Sequence, residues 1–254
     1  MTTTLIVLAH PDPGSFNGAW AEASARACRA IGHDVLVSDL CAMGFDAVEG
    51  RSHFPGYAVD RPFDPLKAQE EAAEAGEVPA DVAGEIDKIR AADLVILHFP
   101  IWWFAPPAVL KGWLDRVLLH GGLHSVDQRF DAGLCRGKRA LFCATTGASA
   151  AECGPDGKEG DVRLLLWPVA QTLRYLGVEV YEPELVHGVH GYFEGAEDQA
   201  LRARLSGVLD GQLALLDGLA DRPLMRFNAD TDFDADGRLK PDCPSYSPFI
   251  RHPS

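Results

Sequence analysis

Five short runs of apolar residues, rich in β-branched side chains, recur along the chain with helix-forming segments between them. The apolar runs occupy residues 5–9, 35–39, 94–100, 140–145 and 178–186. The helical patterns lie at about residues 16–31, 79–91, 107–119, 161–176 and 195–219. Strands that are apolar throughout and alternate with helices indicate a parallel sheet covered on both faces. The sequence therefore predicts an α/β fold whose ligands bind at the carboxyl ends of the strands.

Two regions fall outside this plan of five strands. Residues 42–78 form a connection that is too long for a plain loop, which predicts a functional covering segment. Residues 221–254 are rich in Asp and Pro and have little helical or strand pattern. We therefore expect a main domain of residues 1–220 followed by an extended acidic arm of residues 221–254. The sequence leaves open whether this arm packs on its own domain or on a neighbouring subunit.

The composition of the 254-residue chain limits its environment and partners. Hydrophobic residues make up 47% of the chain, and the formal net charge of −14 disfavours nucleic acid and anionic membranes as general partners. The six cysteines include no C-x-x-C pair, which favours reduced thiols over disulfides. No apolar stretch approaches about 18 residues and no signal-peptide pattern is present. No membrane insertion is therefore predicted, and a cytoplasmic location is the default expectation.

The first apolar run passes through a polar turn directly into a helix. The turn contains His10, Asp12, Gly14, Ser15, Phe16 and Asn17. Backbone N–H groups, hydroxyls and a helix N-terminus at one point favour a bound anion, so a phosphate-bearing cofactor is the first hypothesis. The spacing matches neither G-x-G-x-x-G nor G-x-x-x-x-G-K-[ST]. The alternative is an ordinary βα turn in which Ser15 or Asn17 caps the helix.

Two other predicted strands end in turns suited to a flat ligand. Residues 100–107, after the third strand, concentrate proline and aromatic side chains. Their rings form walls, and the N–H groups beside Trp103 and Phe104 are able to bind ring heteroatoms. Residues 145–149, after the fourth strand, are small and polar and permit close approach of the backbone. A phosphate turn, an aromatic turn and a small polar turn at one sheet edge together describe a flavin site.

Several longer segments resemble the NAD(P)H dehydrogenase (quinone) family, whose members are two-electron flavoenzymes. The resemblance is carried by residues 9–17, 92–100, 103–104, 107–113, 145–147, 160–161 and 166–168. These segments belong to a stretch of roughly residues 4–186. The resemblance implies a flavodoxin-like five-stranded parallel sheet with helices on both faces, followed here by a C-terminal extension. It also implies an enzyme, an NAD(P)H:acceptor oxidoreductase.

The resemblance further implies a cofactor and its contacts. FAD is expected between two subunits of a homodimer, with NADH or NADPH and a small-molecule electron acceptor using the same pocket in turn. The implied contacts are His10, Ser15, Phe16 and Asn17 with the phosphate and ribityl region, Pro100, Ile101, Trp102, Trp103 and Phe104 with the isoalloxazine, and Thr145, Thr146, Gly147 and Ala148 with its pyrimidine side. Hydride transfer through flavin N5 would follow a ping-pong cycle, in which the protein contributes stacking, positioning and charge stabilisation.

The sequence departs from the family where negative charge develops near flavin N1 and O2. Relatives carry a tyrosine and a histidine after the T-T-G turn, where this chain has Cys153 and Glu159. A carboxylate at this place opposes the developing charge. We therefore predict that the backbone N–H groups of Gly147 and Ala148 provide most of the stabilisation. These four residues are the candidate catalytic positions.

The predicted rim of the substrate pocket differs as well. His124 and Val126 replace two tyrosines of the relatives, and with Trp103 they are the predicted substrate contacts. His124 is able to titrate near neutral pH or to hydrogen-bond a substrate oxygen, and the alternative is an ordinary loop histidine. Quinones, nitroaromatics, azo compounds and a pathway-specific electrophile all stay open as acceptors.

Three other functions are left open. The first is an FMN-dependent azo- or nitroreductase of the same fold. FAD is preferred because residues 42–78 and the C-terminal region provide material to cover an adenine. The second is a non-catalytic flavin-binding regulatory subunit, which Cys153 and Glu159 keep open. The third is a one-electron carrier, which an enclosed aromatic pocket disfavours.

An acidic run near the C-terminus resembles a calcium loop. Residues 230–237 contain a D-x-D-x-D-G order, but Cys243 stands where the closing Glu is expected. His187 and His190 lack nearby partners at zinc spacing. No metal site is therefore predicted.

Overall fold

The computed structural model of the chain describes residues 1–253, and strands alternate with helices over most of that length. The strands are β1 (Thr3–Leu8), β2 (Asp34–Asp39), β3 (Leu94–Pro100), β4 (Arg139–Thr145), β5 (Glu179–Val180) and β6 (Glu184–Val186). The α-helices are α1 (Phe16–Ala30), α2 (Pro65–Ala75), α3 (Ala80–Ala91), α4 (Ala108–Val117), α5 (Val162–Tyr175) and α6 (Gly195–Asp217). Every predicted helix is present, and α2 is an addition.

The strands form one parallel sheet in the order β2-β1-β3-β4-β5, and β6 also pairs with β4. The register places Leu8 of β1 beside His98 of β3. It also places Pro100 of β3 beside Thr145 of β4. The carboxyl ends of β1, β3 and β4 therefore lie side by side at one edge of the sheet, where the chain changes direction across it.

Helices cover both faces of this sheet, which confirms the predicted α/β architecture. On one face, Trp20 of α1 and Leu216 of α6 are buried with Ile96 of β3. On the other face, Trp113 of α4 is buried with Leu97 of β3, and α3 and α5 complete the same layer. In residues 1–253, no helix has the length and apolar composition needed to cross a membrane.

The prediction of one continuous fifth strand over residues 178–186 is wrong. The structure has two short strands, β5 and β6, with residues 181–183 between them. The N–H of Glu182 donates to the carbonyl oxygen of Pro223 at 2.8 Å. At this point the start of the C-terminal arm, and not β4, accepts the backbone hydrogen bond. Pro183 has no N–H with which to continue the pairing. The predicted strand is therefore interrupted at the residue that contacts Pro223.

The connection of residues 42–78 contains α2, which the sequence patterns missed. The buried residues of α2 are Ala68, Gln69 and Ala72, so its apolar periodicity is weak. The ends of the helix carry clearer signals. Asp64 caps the first turn, and Gly76 ends the helix in the left-handed region at a φ of 71°.

Polar contacts hold this connection against α4. The side chain of Gln69 donates to the carbonyl oxygen of Asp115 at 3.3 Å and accepts the N–H of His120 at 3.2 Å. The buried guanidinium of Arg116 donates to the carbonyl oxygen of Asp46 at 2.7 Å. The connection therefore covers the C-terminal end of α4.

The C-terminal arm packs on its own domain, against α5. Trp167 of α5 stacks on Phe249, with ring centroids 4.7 Å apart. The N–H of Asp230 donates to the carboxylate of Asp131 at 2.6 Å. The acidic run of residues 230–237 folds into a turn in which the carboxylate of Asp234 accepts the N–H groups of Asp236 and Arg238 at 3.0 and 2.9 Å. Of the two arrangements that the sequence left open, the described part of the arm adopts the first.

Candidate active site

Three predicted turns lie next to one another because β1, β3 and β4 are neighbours in the sheet. They are the β1 turn (residues 9–17), the aromatic turn (residues 100–107) and the small turn (residues 145–149). The N–H of Ile101 donates to the carbonyl oxygen of Thr145 at 2.8 Å, which joins the second turn to the third. The structure thus brings most of the predicted cofactor residues to one edge of the sheet.

The β1 turn leads into a capped helix. The hydroxyl of Ser15 accepts the N–H of Gly18 at 3.2 Å and so caps α1. The ring of His10 lies beside Trp102, with centroids 5.7 Å apart. The N-terminus of α1, with its positive end of the helix dipole, therefore lies at the same edge as the aromatic turn. Capping and anion binding are compatible at this turn.

Two further residues of the β1 turn pack inward. The ring of Phe16 packs on Trp20, with centroids 5.4 Å apart. The side-chain amide of Asn17 donates to the hydroxyl of Thr145 at 2.9 Å, and both residues are 3% exposed. The Oδ1 atom of Asn17 is buried and has no partner within residues 1–253. Asn17 therefore ties the β1 turn to β4, whereas Phe16 packs on α1. Direct contact of either side chain with a cofactor stays a prediction.

Gly18 lies where α1 approaches the β1 turn most closely. A Cβ atom at this position would lie 2.2 Å from the carbonyl oxygen of Pro13. Because the contact is with backbone, we expect Gly18→Ala to lower the free energy of unfolding by about 1–3 kcal/mol. Gly84→Ala in α3 is the control, since its Cβ would meet nothing within 4 Å. Urea unfolding measures both variants, and equal stabilities would contradict the close approach.

The aromatic turn has an unusual backbone. Trp102 and Ala105 exchange two backbone hydrogen bonds of 2.9 and 3.1 Å, and the two residues between them have positive φ values. The φ angles are 48° for Trp103 and 62° for Phe104. Asn-Gly is the usual pair in such a turn, and bulky residues there cost about 1–3 kcal/mol each. Strain of this kind is typical of ligand-binding sites.

A cleft of about 210 Å³ lies between the aromatic turn and the small turn. It is lined by Ile101, Trp103, Phe104, Thr146, Gly147, Ala148, Cys153, Glu159, Val162 and Leu165. Trp103 is 93% exposed, so its ring is displayed to the solvent instead of filling the core. In the described part of the chain, the N–H groups of Gly147 and Ala148 have no acceptor. The cleft therefore offers aromatic surface and free backbone donors.

The two positions that depart from the family pattern line this same cleft. Cys153 is buried, and its Sγ lies 3.7 Å from the hydroxyl oxygen of Thr146. Glu159 is partly buried. The four candidate catalytic positions, Gly147, Ala148, Cys153 and Glu159, are thus together at one cleft. Their roles stay a prediction.

The loop that carries Cys153 and Glu159 is fixed by a carboxylate. The side chain of Glu152 accepts the N–H and the hydroxyl of Ser149 at 3.0 and 2.9 Å. It also pairs with Lys158 at 2.8 Å. The bond from Lys158, followed by those from Ser149, lowers the pKa of Glu152 to about 2. The loop therefore keeps this ion pair throughout the neutral pH range.

The residues after β6 support the small turn, which the sequence reasoning missed. The N–H groups of Gly188 and Val189 donate to the carbonyl oxygens of Ala148 and Thr146 at 2.8 and 2.9 Å. Nδ1 of His187 lies 2.9 Å from the hydroxyl oxygen of Thr146. The residue spacing draws attention to His187 only as a possible zinc ligand. A usable signal was the topology, because the residue after β6 must lie beside the residue after β4.

The other predicted substrate contacts lie outside this cleft. His124 lines a separate cleft of about 530 Å³ between α2, α4 and α5. Val126 lines a larger one of about 1100 Å³ that is bounded by the C-terminal arm. The ring of His124 lies 5.1 Å from that of His120, and burial followed by this neighbour lowers the pKa of His124. Within one chain, Trp103 is therefore separated from both rim residues.

The chain matches known proteins over most of its length. The family described as flavodoxin-like fold matches residues 2–208. NAD(P)H dehydrogenase (quinone) 1 of Rattus norvegicus is 38% identical over 191 residues, which cover 73% of this chain and 68% of the relative. Ribosyldihydronicotinamide dehydrogenase (quinone) of Homo sapiens is 38% identical over 184 residues, which cover 71% and 79%. A crystal structure from Klebsiella pneumoniae, described as a quinone reductase, has a TM-score of 0.84 and 30% identity over 95% of both chains.

The family match shows that the fold is flavodoxin-like. The chain belongs to the NAD(P)H dehydrogenase (quinone) family of oxidoreductases. The resemblance predicted from short segments is therefore confirmed. The structural match covers 95% of each chain, so it extends into the C-terminal arm.

Proposed function

We propose that this chain is an FAD-dependent NAD(P)H:acceptor oxidoreductase that reduces a quinone or a quinone-like electrophile. The reaction is a two-electron, ping-pong hydride transfer. NAD(P)H and quinone come from the names of the relatives. The cleft at the carboxyl edge of the sheet supports the flavin and its contacts.

The observation that carries the proposal is the strained aromatic turn beside the free donors of the small turn. Trp103 and Phe104 adopt costly backbone conformations, while their rings are largely exposed. An isoalloxazine has flat faces for such rings and an edge of nitrogen and oxygen atoms for the N–H groups of Gly147 and Ala148. The N-terminus of α1 nearby suits a phosphate. The residues present therefore fit a flavin.

The separated rim residues support a homodimer. His124 and Val126 lie outside the cleft of their own chain. We propose that a second copy supplies them, so that each active site lies at the subunit interface. FAD is proposed over FMN because α2 and the arm border the clefts that these rim residues line, which gives additional walls for an adenosine.

A bound flavin would supply hydride-transfer chemistry between NAD(P)H and the acceptor. Trp103 and Phe104 would hold its ring system and exclude water from one side. The capped N-terminus of α1, at Ser15, would hold the phosphate. The N–H groups of Gly147 and Ala148 would donate to the edge where negative charge accumulates, which would lower the barrier.

Glu159 gives a test of this electrostatic account. A carboxylate beside the accumulating charge slows reduction, so we expect Glu159→Gln to increase the rate of reduction by NAD(P)H about 2- to 10-fold. Asp156→Asn removes an exposed carboxylate from the same loop and is the matched control. Anaerobic stopped-flow measurement of flavin bleaching compares the variants. An unchanged or lower rate in Glu159→Gln would contradict the role given to this position.

Steady-state kinetics test the proposed reaction itself. NADH or NADPH and a quinone are varied together, and parallel lines in a double-reciprocal plot are expected for a ping-pong cycle. Intersecting lines would overturn that mechanism. Stoichiometric flavin without turnover on quinones, nitroaromatics or azo compounds would favour the non-catalytic regulatory subunit.

We also propose a cytoplasmic location. The six cysteines are all free thiols in the structure. Unpaired cysteines at this number are typical of a reducing compartment. Fractionation of cells that produce the protein tests this proposal.

A further inference from the structure

We propose that His187 is a positioning residue that takes up a proton when the active site is reduced. It thereby supplies the charge stabilisation that Cys153 and Glu159 do not provide. This inference rests on the proposed flavin-dependent reaction. It concerns a histidine that does not line the cleft and acts through Thr146.

The hydrogen bonds of Thr146 determine which ring nitrogen of His187 carries a proton. The Thr146 hydroxyl donates its single hydrogen to the carbonyl oxygen of Ala148 at 2.9 Å. Nδ1 of His187, also 2.9 Å from that hydroxyl oxygen, must then be the donor in its pair. The neutral imidazole therefore carries its hydrogen on Nδ1. Nε2 is left to accept a second proton without breaking any of these bonds.

The same contacts connect His187 to the proposed flavin donors. Thr146 precedes Gly147 and Ala148, whose N–H groups are free in the described part of the chain. The carbonyl oxygen of Ala148 is held by both the Thr146 hydroxyl and the N–H of Gly188. A positive charge on His187 therefore stands one side chain away from the small turn. Its electrostatic field acts through space on negative charge in the cleft.

Charged groups around His187 keep it neutral before reduction. Arg204 of α6 donates to the carbonyl oxygen of His187 at 2.7 Å. Glu184 of β6 is paired with Arg222 at 2.9 Å, so it offers His187 little countercharge. The adjoining loops also carry His190 and Cys153, whose Sγ lies 3.7 Å from the Thr146 hydroxyl oxygen. Burial, followed by the Arg204 charge, lowers the pKa of His187.

Reduction changes the net charge of the active site by one unit. A hydride brings two electrons and one proton, which leaves one additional negative charge in the site. One proton from solvent then binds Nε2 of His187, so that the net charge of the site is restored. The nicotinamide supplies both electrons, and no other reductant is needed. The reduced site therefore takes up two protons in total, one with the hydride and one at His187.

The slope of midpoint potential against pH counts these protons. Between about pH 6.5 and 8 we expect two protons per two electrons in the wild-type holoprotein. His187→Asn keeps a donor near the position of Nδ1 but cannot titrate, and we expect one proton per two electrons. His190→Asn is the control, because this histidine of the same loop accepts the N–H of Tyr192 and packs on Phe193. Its slope should equal that of the wild type.

A second measurement does not depend on the variant folding. Nitrogen-edited NMR of the imidazole rings is expected to show the Nδ1–H tautomer of His187 in the flavin-free wild type. In the holoprotein, reduction should raise the pKa of His187 by at least about two units, so that the ring changes from neutral to protonated over the pH range of the potential measurement. Equal pKa values of His187 in both redox states, or equal proton counts in the wild type and His187→Asn, would overturn this inference but not the proposed function. A wild type whose flavin neither NADH nor NADPH reduces would instead overturn the proposed function.

Discussion

The double variant Trp103→Asn/Phe104→Gly is expected to be more stable than the wild type without flavin and to lose flavin binding. Asn-Gly relaxes the two positive φ angles, so the free energy of unfolding should rise by about 2–6 kcal/mol. The Trp103 ring is displayed to solvent, so its removal sacrifices little core packing. With both rings absent, flavin loses about 1.5–3 kcal/mol of apolar contact for each, and affinity falls at least about a hundredfold.

A second double variant separates strain from stacking. Trp103→Ala/Phe104→Ala removes the same rings but leaves residues that are disfavoured at positive φ. It should lose flavin as the first variant does, without the gain in stability. Urea unfolding of the flavin-free proteins and fluorescence titration with FAD measure both quantities. If the Asn-Gly chain is less stable than the Ala-Ala chain, the strain argument fails.

A strong loss of stability on acidification is expected from His98. This side chain of β3 is fully buried, and burial lowers its pKa to about 3. Nε2 lies 3.0 Å from the hydroxyl of Ser24, which accepts a bond from Gln212 at 2.8 Å. The unfolded chain binds a proton at this histidine below about pH 6.5, whereas the folded chain resists until about pH 3. Stability is therefore retained above pH 6.5 and falls as the pH decreases.

The size of this effect can be isolated by substitution. Each pH unit well between the two pKa values costs about 1.4 kcal/mol, so His98 removes about 2 kcal/mol between pH 6.5 and 4.5. His98→Gln keeps an amide within reach of Ser24 but does not titrate. Its free energy of unfolding should change less over this interval by about that amount. The same pH dependence in the wild type and the variant would show that another group is responsible.

The fold was largely predictable because apolar runs in a parallel sheet are continuous. The strand at residues 94–100 has the same bounds in sequence and structure. The break in the fifth strand could not be predicted, because it depends on a backbone hydrogen bond to Pro223, which is distant in sequence. Helix α2 was also missed, because Ala and Gln bury little apolar surface and the usual periodicity is absent.

The candidate site was predictable to the extent that it follows from strand ends. Neighbouring parallel strands bring their terminal turns together, so the residues of three turns could be grouped without a structure. The backbone strain at Trp103 could not be predicted, because bulky residues normally avoid positive φ and nothing in the sequence marks this exception. The contact between His187 and Thr146 needed the pairing of β6 with β4.

The central claim is that this chain holds FAD and reduces it with a nicotinamide nucleotide. The protein is purified without added cofactor, any yellow ligand is released by heat and identified by chromatography, and the holoprotein is mixed anaerobically with NADH or NADPH. The account predicts FAD, bleached fully in one two-electron step. FMN would move the chain to the azoreductase-like alternative, and a flavin that neither nucleotide reduces would contradict the account.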